Sequence, residues 1–393
     1  MSFFCSNHFF FVILHRTLKF RMITKHNIFV GASQNMSYTH DESVHLVVTS
    51  PPYPMIEMWD EIMAKQNSAI SDALLTNPNY AFELMHQELD KVWKECYRVL
   101  REGGFLCINI GDATRTINAN FSLFNNHSRI IRACVELGFV GLPNIIWRKQ
   151  TNSPNKFMGS GMLPCGAYMT LEHEWILIFR KGNKRTYKTA EDKAKRMRSS
   201  YFWEERNVWF SDIWDVKGTK QAIAQSSTRE RSAAYPFEIP YRLINMFSQQ
   251  GDMVLDPFIG TGTTTLAAMC CGRNSCGYDI DSAFKAITHE RIMTMNIDNF
   301  NTVIKKRLDD HVQFVNMRQQ AGKEIKHFNQ ILNVPVMTGQ ETKISFDYIQ
   351  RVFVDDAGNI CVGYQDKSDL TVLPFVSNQF LFSNTSYLQP INL

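Results

Sequence analysis

The chain has nine cysteines but no Cys-x-x-Cys pair. Cys270, Cys271 and Cys276 lie close together, yet no histidine or second cysteine pair completes a zinc pattern, so no metal centre is expected. An odd, unpatterned set of thiols also argues against a disulfide framework and for a reducing cytoplasm. Long apolar runs are missing too. The run at 9–14 is far too short to span a bilayer, and no small-residue cleavage site follows it, so neither a membrane anchor nor a signal peptide is expected. Internal repeats and low-complexity tracts are absent. So is a strong charge of either sign. With 42 Lys and Arg against 38 Asp and Glu the net charge is +4, and a nucleic-acid partner would need basic residues grouped on one face.

What is present is a chain of 393 residues, 44% hydrophobic and 20% charged, enough for one large α/β domain with an addition. Residues 1–21 contain no element such a fold requires, and Met22 reads as the functional start. Val44–Thr49 (VHLVVT) is a short apolar run ended by Pro51 and Pro52, the pattern of a buried parallel strand. Residues 54–85 read as a long loop with helical pieces. Leu89, Val92, Trp93, Cys96, Val99 and Leu100 recur at helical spacing, and Gly103 and Gly104 should stop that helix. A strand at 105–110 (FLCINI), a helix at 129–137 and a strand at 144–148 continue the alternation. Such alternation predicts a doubly wound, mostly parallel sheet.

Residues 151–230 differ. They hold MGSGMLPCG, the strand-like EWILIF and a basic run from Arg180 to Arg198, followed by Tyr201, Phe202, Trp203, Trp209 and Trp214. The α/β pattern resumes with a strand at 253–255, a Gly-rich turn, a helix at 263–271 and the strand SCGYDI. Residues 300–330 look helical. The segment 340–393 is rich in β-branched and aromatic residues, with a turn at 356–359. The chain thus divides into an extension (1–21), a catalytic part (22–150), an inserted region (151–230), a ligand-binding part (231–330) and a small C-terminal β addition (331–393).

Two motifs carry chemistry. In Asp256-Pro-Phe-Ile-Gly-Thr-Gly-Thr-Thr264 a strand enters a glycine turn that opens a helix. Gly260 and Gly262 let the backbone turn sharply and approach a ligand, and the helix start offers free N–H groups. The turn lacks the Gly-Lys-Ser/Thr of a P-loop and the GxGxxG spacing of a dinucleotide site. Asp279 ends the next strand, near the ~20-residue offset at which such folds hold a ribose hydroxyl. Asp281 competes for that role from beyond the strand. The second motif is Thr49-Ser-Pro-Pro-Tyr53. Its prolines donate no N–H and fix the backbone. They leave the Pro51 carbonyl and the Ser50 hydroxyl as acceptors, with Tyr53 as an aromatic face. Two acceptors and a platform suit a planar amine. A proline-rich strand exit with a packed tyrosine would look the same.

Together TSPPY and DPFIGTGTT resemble the catalytic and cofactor signatures of the amino-methylating DNA methyltransferases. The catalytic motif comes first and the cofactor motif about 200 residues later, the order of the β group of that family. SAAYPFEIPYRLI resembles its motif closing over the methionine end of the cofactor, and GGFLCINIGD and EHEWILIFRKG its intermediate sheet elements. The similarity covers about residues 25–300. Two departures stand out. FVGASQNM lacks the acidic residue many relatives carry after the glycine, and Tyr235 stands where phenylalanine is commoner.

The resemblance implies a Rossmann-like S-adenosylmethionine-dependent methyltransferase fold with an inserted DNA target-recognition region. It implies S-adenosyl-L-methionine as methyl donor, no metal and no covalent nucleophile. Asp256, Phe258, Gly260, Gly262, Thr263, Ala234 and Pro236 would surround the cofactor, with Asp279 on its ribose. Ser50, Pro51, Pro52 and Tyr53 would form the catalytic set for a base flipped out of duplex DNA. Lys181, Lys184, Arg185 and Lys188 in the basic run would meet phosphates, unless that run is a solvated face. Ser50, where adenine enzymes more often have Asp or Asn, favours N4 of cytosine over N6 of adenine. A C5-cytosine enzyme is disfavoured because its glycine motif would come first, which leaves Pro164-Cys165 incidental. A decayed, non-catalytic nucleic-acid-binding protein is disfavoured because both motifs look intact. The expected setting is a bacterial cytoplasm and a restriction-modification system. Double-stranded DNA is the expected partner, with room for a cognate endonuclease or partner methyltransferase and for a homodimer.

Overall fold

The computed structural model describes residues 20–149, 158–159, 163–218 and 235–365. Eleven strands form one sheet. In chain order they are β1 (Met22–Val30), β2 (Val44–Thr49), β3 (Leu100–Ile110), β4 (Phe139–Gly141), β5 (Ile145–Arg148), β6 (His173–Lys181), β7 (Ile213–Asp215), β8 (Met253–Asp256), β9 (Asn274–Asp279), β10 (Tyr348–Val354) and β11 (Ile360–Gln365). Their spatial order is β7-β5-β6-β3-β2-β8-β9-β1-β11-β10, with β4 also on β6. β3, β2, β8, β9 and β1 run parallel in the centre, while β6 and β11 flank them antiparallel. This is the doubly wound, mostly parallel sheet expected.

Period-2 alternation sends successive residues of a strand to opposite faces. On β3, Cys107 joins a core with Leu243, Ile244, Leu266 and Ile304, while Leu106, Ile108 and Ile110 join a second core with Leu89, Trp93 and Ile130. Helices therefore cover both faces. On one side lie α1 (Asp60–Gln66), α2 (Ala69–Thr76), α3 (Pro78–Val99) and α4 (Asn126–Glu136). The chain then forms α5 (Ala190–Arg198), α6 (Trp203–Trp209), α7 (Glu238–Phe247), α8 (Thr263–Cys270), α9 (Ser282–Met293) and α10 (Ile297–Gln320). α3 starts where Asn77 accepts from the Tyr80 N–H at 3.2 Å and Pro78 takes the first helical position.

Several expectations shift. α3 ends at Val99, before the glycines expected to stop it, because β3 begins at once with Leu100 and takes Gly103 and Gly104 into the strand. The described strands of the region expected to be inserted, 151–230, include two that join the main sheet. Its β6 lies beside β3, and its β7 forms the sheet's edge. The C-terminal addition likewise joins the sheet: β11 pairs antiparallel with β1, from Met22↔Tyr364 to His26↔Ile360.

That pairing explains a second correction. Residues 1–19 lie outside the described part, but Phe20 and Arg21, expected to be dispensable, make contacts. Phe20 stacks on Phe353 at 5.8 Å between ring centroids, and Arg21 pairs with Asp347 at 2.9 Å. Tyr364 anchors the hairpin. Its hydroxyl donates to the Met269 carbonyl at 2.7 Å and takes a 3.1 Å bond with Thr24, all of it buried. Tyr364→Phe would take one bond from that carbonyl, which keeps the Gly272 N–H, and one from Thr24, which keeps His26, and should lower the unfolding free energy by about 0.5–1.5 kcal/mol. The denaturant midpoint reads this directly, and an unchanged midpoint would show that the hydroxyl anchors nothing.

Candidate active site

In open α/β sheets ligands bind beyond the carboxyl ends of the strands, where the winding reverses. Here that point lies between β2, from which the chain winds to β3, and β8, from which it winds to β9. One hydrogen bond ties it: Thr49 Oγ1 donates to Asp256 Oδ1 at 2.7 Å. The same carboxylate accepts from the Phe258 N–H at 3.0 Å and from Thr264 Oγ1 at 2.6 Å, and Thr264 also bonds the Tyr235 hydroxyl. Burial pushes the Asp256 carboxyl up to about 6, against the pull of these donors.

A cavity of about 330 Å³ opens over this tie. One half is formed by the glycine turn. Phe258, Gly260 and Thr263 line it, with Asp279 from the end of β9. The Gly260 N–H donates to Asp279 Oδ2 at 3.2 Å, and the Asp281 N–H to Oδ1 at 2.9 Å. Asp281 does not compete with Asp279, because its own side chain caps α9 through the Ala283 N–H at 3.0 Å. Two residues expected at the ligand shape the turn from behind instead. Asp256 has its oxygens turned to Thr49, Thr264 and Phe258. Gly262 sits in the left-handed region at φ 80°, where a Cβ would lie 2.4 Å from Thr288 Cγ2. Pro236 precedes α7 beside Tyr235, which lines the cavity; Ala234 lies outside the described residues. Ala32, Ser33 and Gln34 of FVGASQNM do line it, despite the missing acidic residue.

The other half holds Ser50, Pro51, Pro52 and Tyr53, all four on the cavity wall. Three residues join them that sequence reasoning missed. The Tyr53 hydroxyl donates to Glu174 Oε2 at 2.8 Å and bonds Ser50 Oγ at 3.1 Å. Asn109 Nδ2 donates to the Tyr53 hydroxyl and to Glu174 Oε2, each at 2.7 Å. Lys149 pairs with the other oxygen of Glu174. Burial, with Glu174 alongside, raises the Tyr53 phenol well above its ordinary range, so it stays protonated. A signal existed for the missed residues. Asn109 interrupts the apolar FLCINI, and Glu174 opens the apolar EWILIF. A polar residue kept inside a buried strand needs a partner.

The basic run does not reach this site. Trp175 of β6 pairs with Ile110, and Arg180 with Phe105. Seven residues at ~3.3 Å each therefore put Lys181 roughly 20 Å from Glu174, at the opposite end of the sheet. Lys181 is buried there and donates to the Leu100 carbonyl at 2.7 Å. Arg185 grips the fully buried Asp252 with both terminal nitrogens, at 2.6 and 3.2 Å. Lys184 and Lys188 are exposed, but on the loop that follows Lys181. Of the four residues expected to meet phosphates, Lys181 and Arg185 are engaged within the fold, while Lys184 and Lys188 face solvent. Lys181 and Arg185 lock β6 and its loop to β3 and β8, and all four lie away from the cavity rim.

Among the described residues no helix is long and apolar enough to cross a membrane, and no group of three or more His, Cys, Asp or Glu is placed to hold a metal ion.

The DNA methylase family pattern matches residues 44–290. The chain is 49% identical over 331 residues to the Type II methyltransferase M.MthZI of Methanothermobacter thermautotrophicus, covering 83% of this chain and 91% of that one. It is 49% identical over 307 residues to the Type II methyltransferase M.MjaI of Methanocaldococcus jannaschii, covering 75% and 97%. Among solved structures, a candidate DNA modification methylase from Thermus thermophilus, complexed with S-adenosyl-L-methionine, is 32% identical with a TM-score of 0.53. That match covers 68% of this chain and 92% of the other. A cavity at the switch point, walled by TSPPY on one side and DPFIGTGTT on the other, thus belongs to a chain of the DNA methylase family that methylates amino groups at N6 or N4.

Proposed function

We propose that the chain is a site-specific DNA methyltransferase that moves the methyl group of S-adenosyl-L-methionine to N4 of cytosine. The carrying observation is that Ser50 and the glycine turn line one cavity, so a donor and an amine held there would meet.

The residues present fit the donor. Asp279 offers a carboxylate to ribose hydroxyls. Phe258, Ile280 and Phe284 offer apolar surfaces to a flat ring, and the backbone of the turn allows close approach at Gly260. The structural relative from Thermus thermophilus, complexed with this compound, supports the same reading. The donor supplies a methyl group already activated by its sulfonium; positioning and polar stabilisation fall to the chain.

The exocyclic amine is a weak nucleophile because its lone pair is delocalised into the ring. Hydrogen bonds from its two N–H groups to Ser50 Oγ and the Pro51 carbonyl favour a pyramidal nitrogen and free that lone pair. Pro51 and Pro52 hold this acceptor in place without offering a competing donor. Tyr53 presents its ring to the base while its hydroxyl is fixed from behind. A cavity beyond the strand ends cannot take a base within a duplex, so the target base leaves its stack first. Serine at position 50 supports cytosine, since Asp or Asn is commoner there in the adenine enzymes this chain resembles. The Type II methyltransferase names of the relatives support a place in a restriction-modification system.

Ser50→Ala should lower the single-turnover rate by about 10²-fold or more, as expected for a lost polar contact made in the transition state. Cofactor affinity should barely change. A wild-type rate would move the activation wholly to backbone carbonyls. Gly260→Val puts a branched side chain at a left-handed position (φ 48°) of the turn that lines the cavity and should abolish cofactor binding in calorimetry while DNA affinity persists; wild-type cofactor affinity would remove the turn from the cofactor site. The base itself is read by mass spectrometry of nucleosides from DNA of cells expressing the chain. N4-methylcytosine is expected, and N6-methyladenine would overturn the base assignment.

A further inference from the structure

The protons in the cluster behind Ser50 can be traced outward from Glu174. Glu174, as a carboxylate, only accepts. Its Oε1 faces the Lys149 ammonium, and its Oε2 faces Tyr53 and Asn109. The Tyr53 hydroxyl has one proton, and Glu174 takes it at 2.8 Å. The phenol oxygen is then left to accept, from Asn109 Nδ2 at 2.7 Å and from Ser50 at 3.1 Å. Asn109 keeps its nitrogen toward Tyr53 and Glu174, each at 2.7 Å, with Ser50 Oγ accepting at 3.4 Å; turned round, its amide oxygen would face the carboxylate. With the Tyr53 proton on Glu174, the bond between Ser50 and Tyr53 forms only if the Ser50 proton points back at Tyr53.

We propose that Glu174 is a positioning residue that sets the direction of this hydroxyl chain and thereby makes Ser50 an acceptor toward the cavity. The proposal rests on the reading that an amine is methylated there. A serine hydroxyl can donate or accept with equal ease. If its proton faced the cavity, it would meet the N–H of the incoming amine and repel it. With the proton fixed behind, Ser50 presents only lone pairs. A serine then does what an ionised carboxylate would do unaided, and the negative charge sits two hydrogen bonds away, compensated by Lys149. Glu174 reaches the cluster because β6 lies antiparallel beside β3, which brings the first residues of β6 to the carboxyl end of β3.

The test is a set of single-turnover rates with the full chain, cofactor and substrate duplex, scored on whichever base the wild type methylates. A wrong base assignment therefore leaves it intact, whereas a wild type that methylates no base overturns both readings. Glu174→Gln keeps the shape but can donate to Tyr53, which allows the chain to reverse. The rate should fall about 10²-fold, with cofactor and DNA affinity nearly unchanged. Tyr53→Phe keeps the ring and cuts the chain, so it should lower the rate by at least about 10-fold. In the Tyr53→Phe background, Glu174→Gln should cost less than about threefold more, because the link it acts through is gone. A charge or packing role for Glu174 would instead cost the same factor in both backgrounds, and that result overturns the proposal. So does a wild-type rate for Tyr53→Phe, which decides the matter even if Glu174→Gln does not fold.

Discussion

The site depends on one buried carboxylate. Asp256 ends β8 and binds Thr49 at the end of β2, Thr264 in the first turn of α8 and the Phe258 N–H of the glycine turn. These contacts hold the two strands at the point where the winding reverses, and they fix where the turn leaves the sheet. The cost is visible in the raised Asp256 carboxyl, which burial holds near 6. A buried acceptor with three donors is tolerable because each lost water bond is replaced. Ser50 follows Thr49 directly and Phe258 lies two residues past Asp256, so the two halves of the cavity inherit their spacing from this tie.

A second polar cluster completes the far wall. Asn109 comes from β3, Glu174 from β6, Lys149 from just beyond β5 and Tyr53 from the TSPPY loop. Four separate stretches of chain thus converge on one hydroxyl chain. In this network the order of protons follows from Glu174. Rigid strands rather than loops carry Asn109 and Glu174, which keeps the orientation of Ser50 from drifting.

Much of this was legible in the sequence. The strand-and-helix alternation, the turn at 256–264 and the exit at 49–53 are local patterns, and both motifs do face one cavity. Asp279 at the end of β9 was legible for the same reason. The errors lie where distant partners decide. Arg180 to Arg198 looks like a binding stripe because sequence shows charge but not Asp252, which is 67 residues from Arg185 and pairs with it. Asp256 looks like a ligand contact because its position at the turn is visible, whereas Thr49, 207 residues away, is not tied to it in sequence. Glu174 and Asn109 were passed over because their roles exist only once β6 lies beside β3. In the sequence Phe20 and Arg21 read as expendable because Phe353 and Asp347 meet them from the other end of the chain.

The central claim is that one cavity at the β2–β8 switch point holds the methyl donor and the flipped base together, with Ser50 facing the amine. A crystal structure of the chain with a non-transferable S-adenosylmethionine analogue and a substrate duplex tests it most directly. The account predicts the analogue against the glycine turn and Asp279, and the target base extruded with its amine within hydrogen-bond reach of Ser50 Oγ and the Pro51 carbonyl. An analogue seated elsewhere, or a base amine turned away from Ser50, would contradict it.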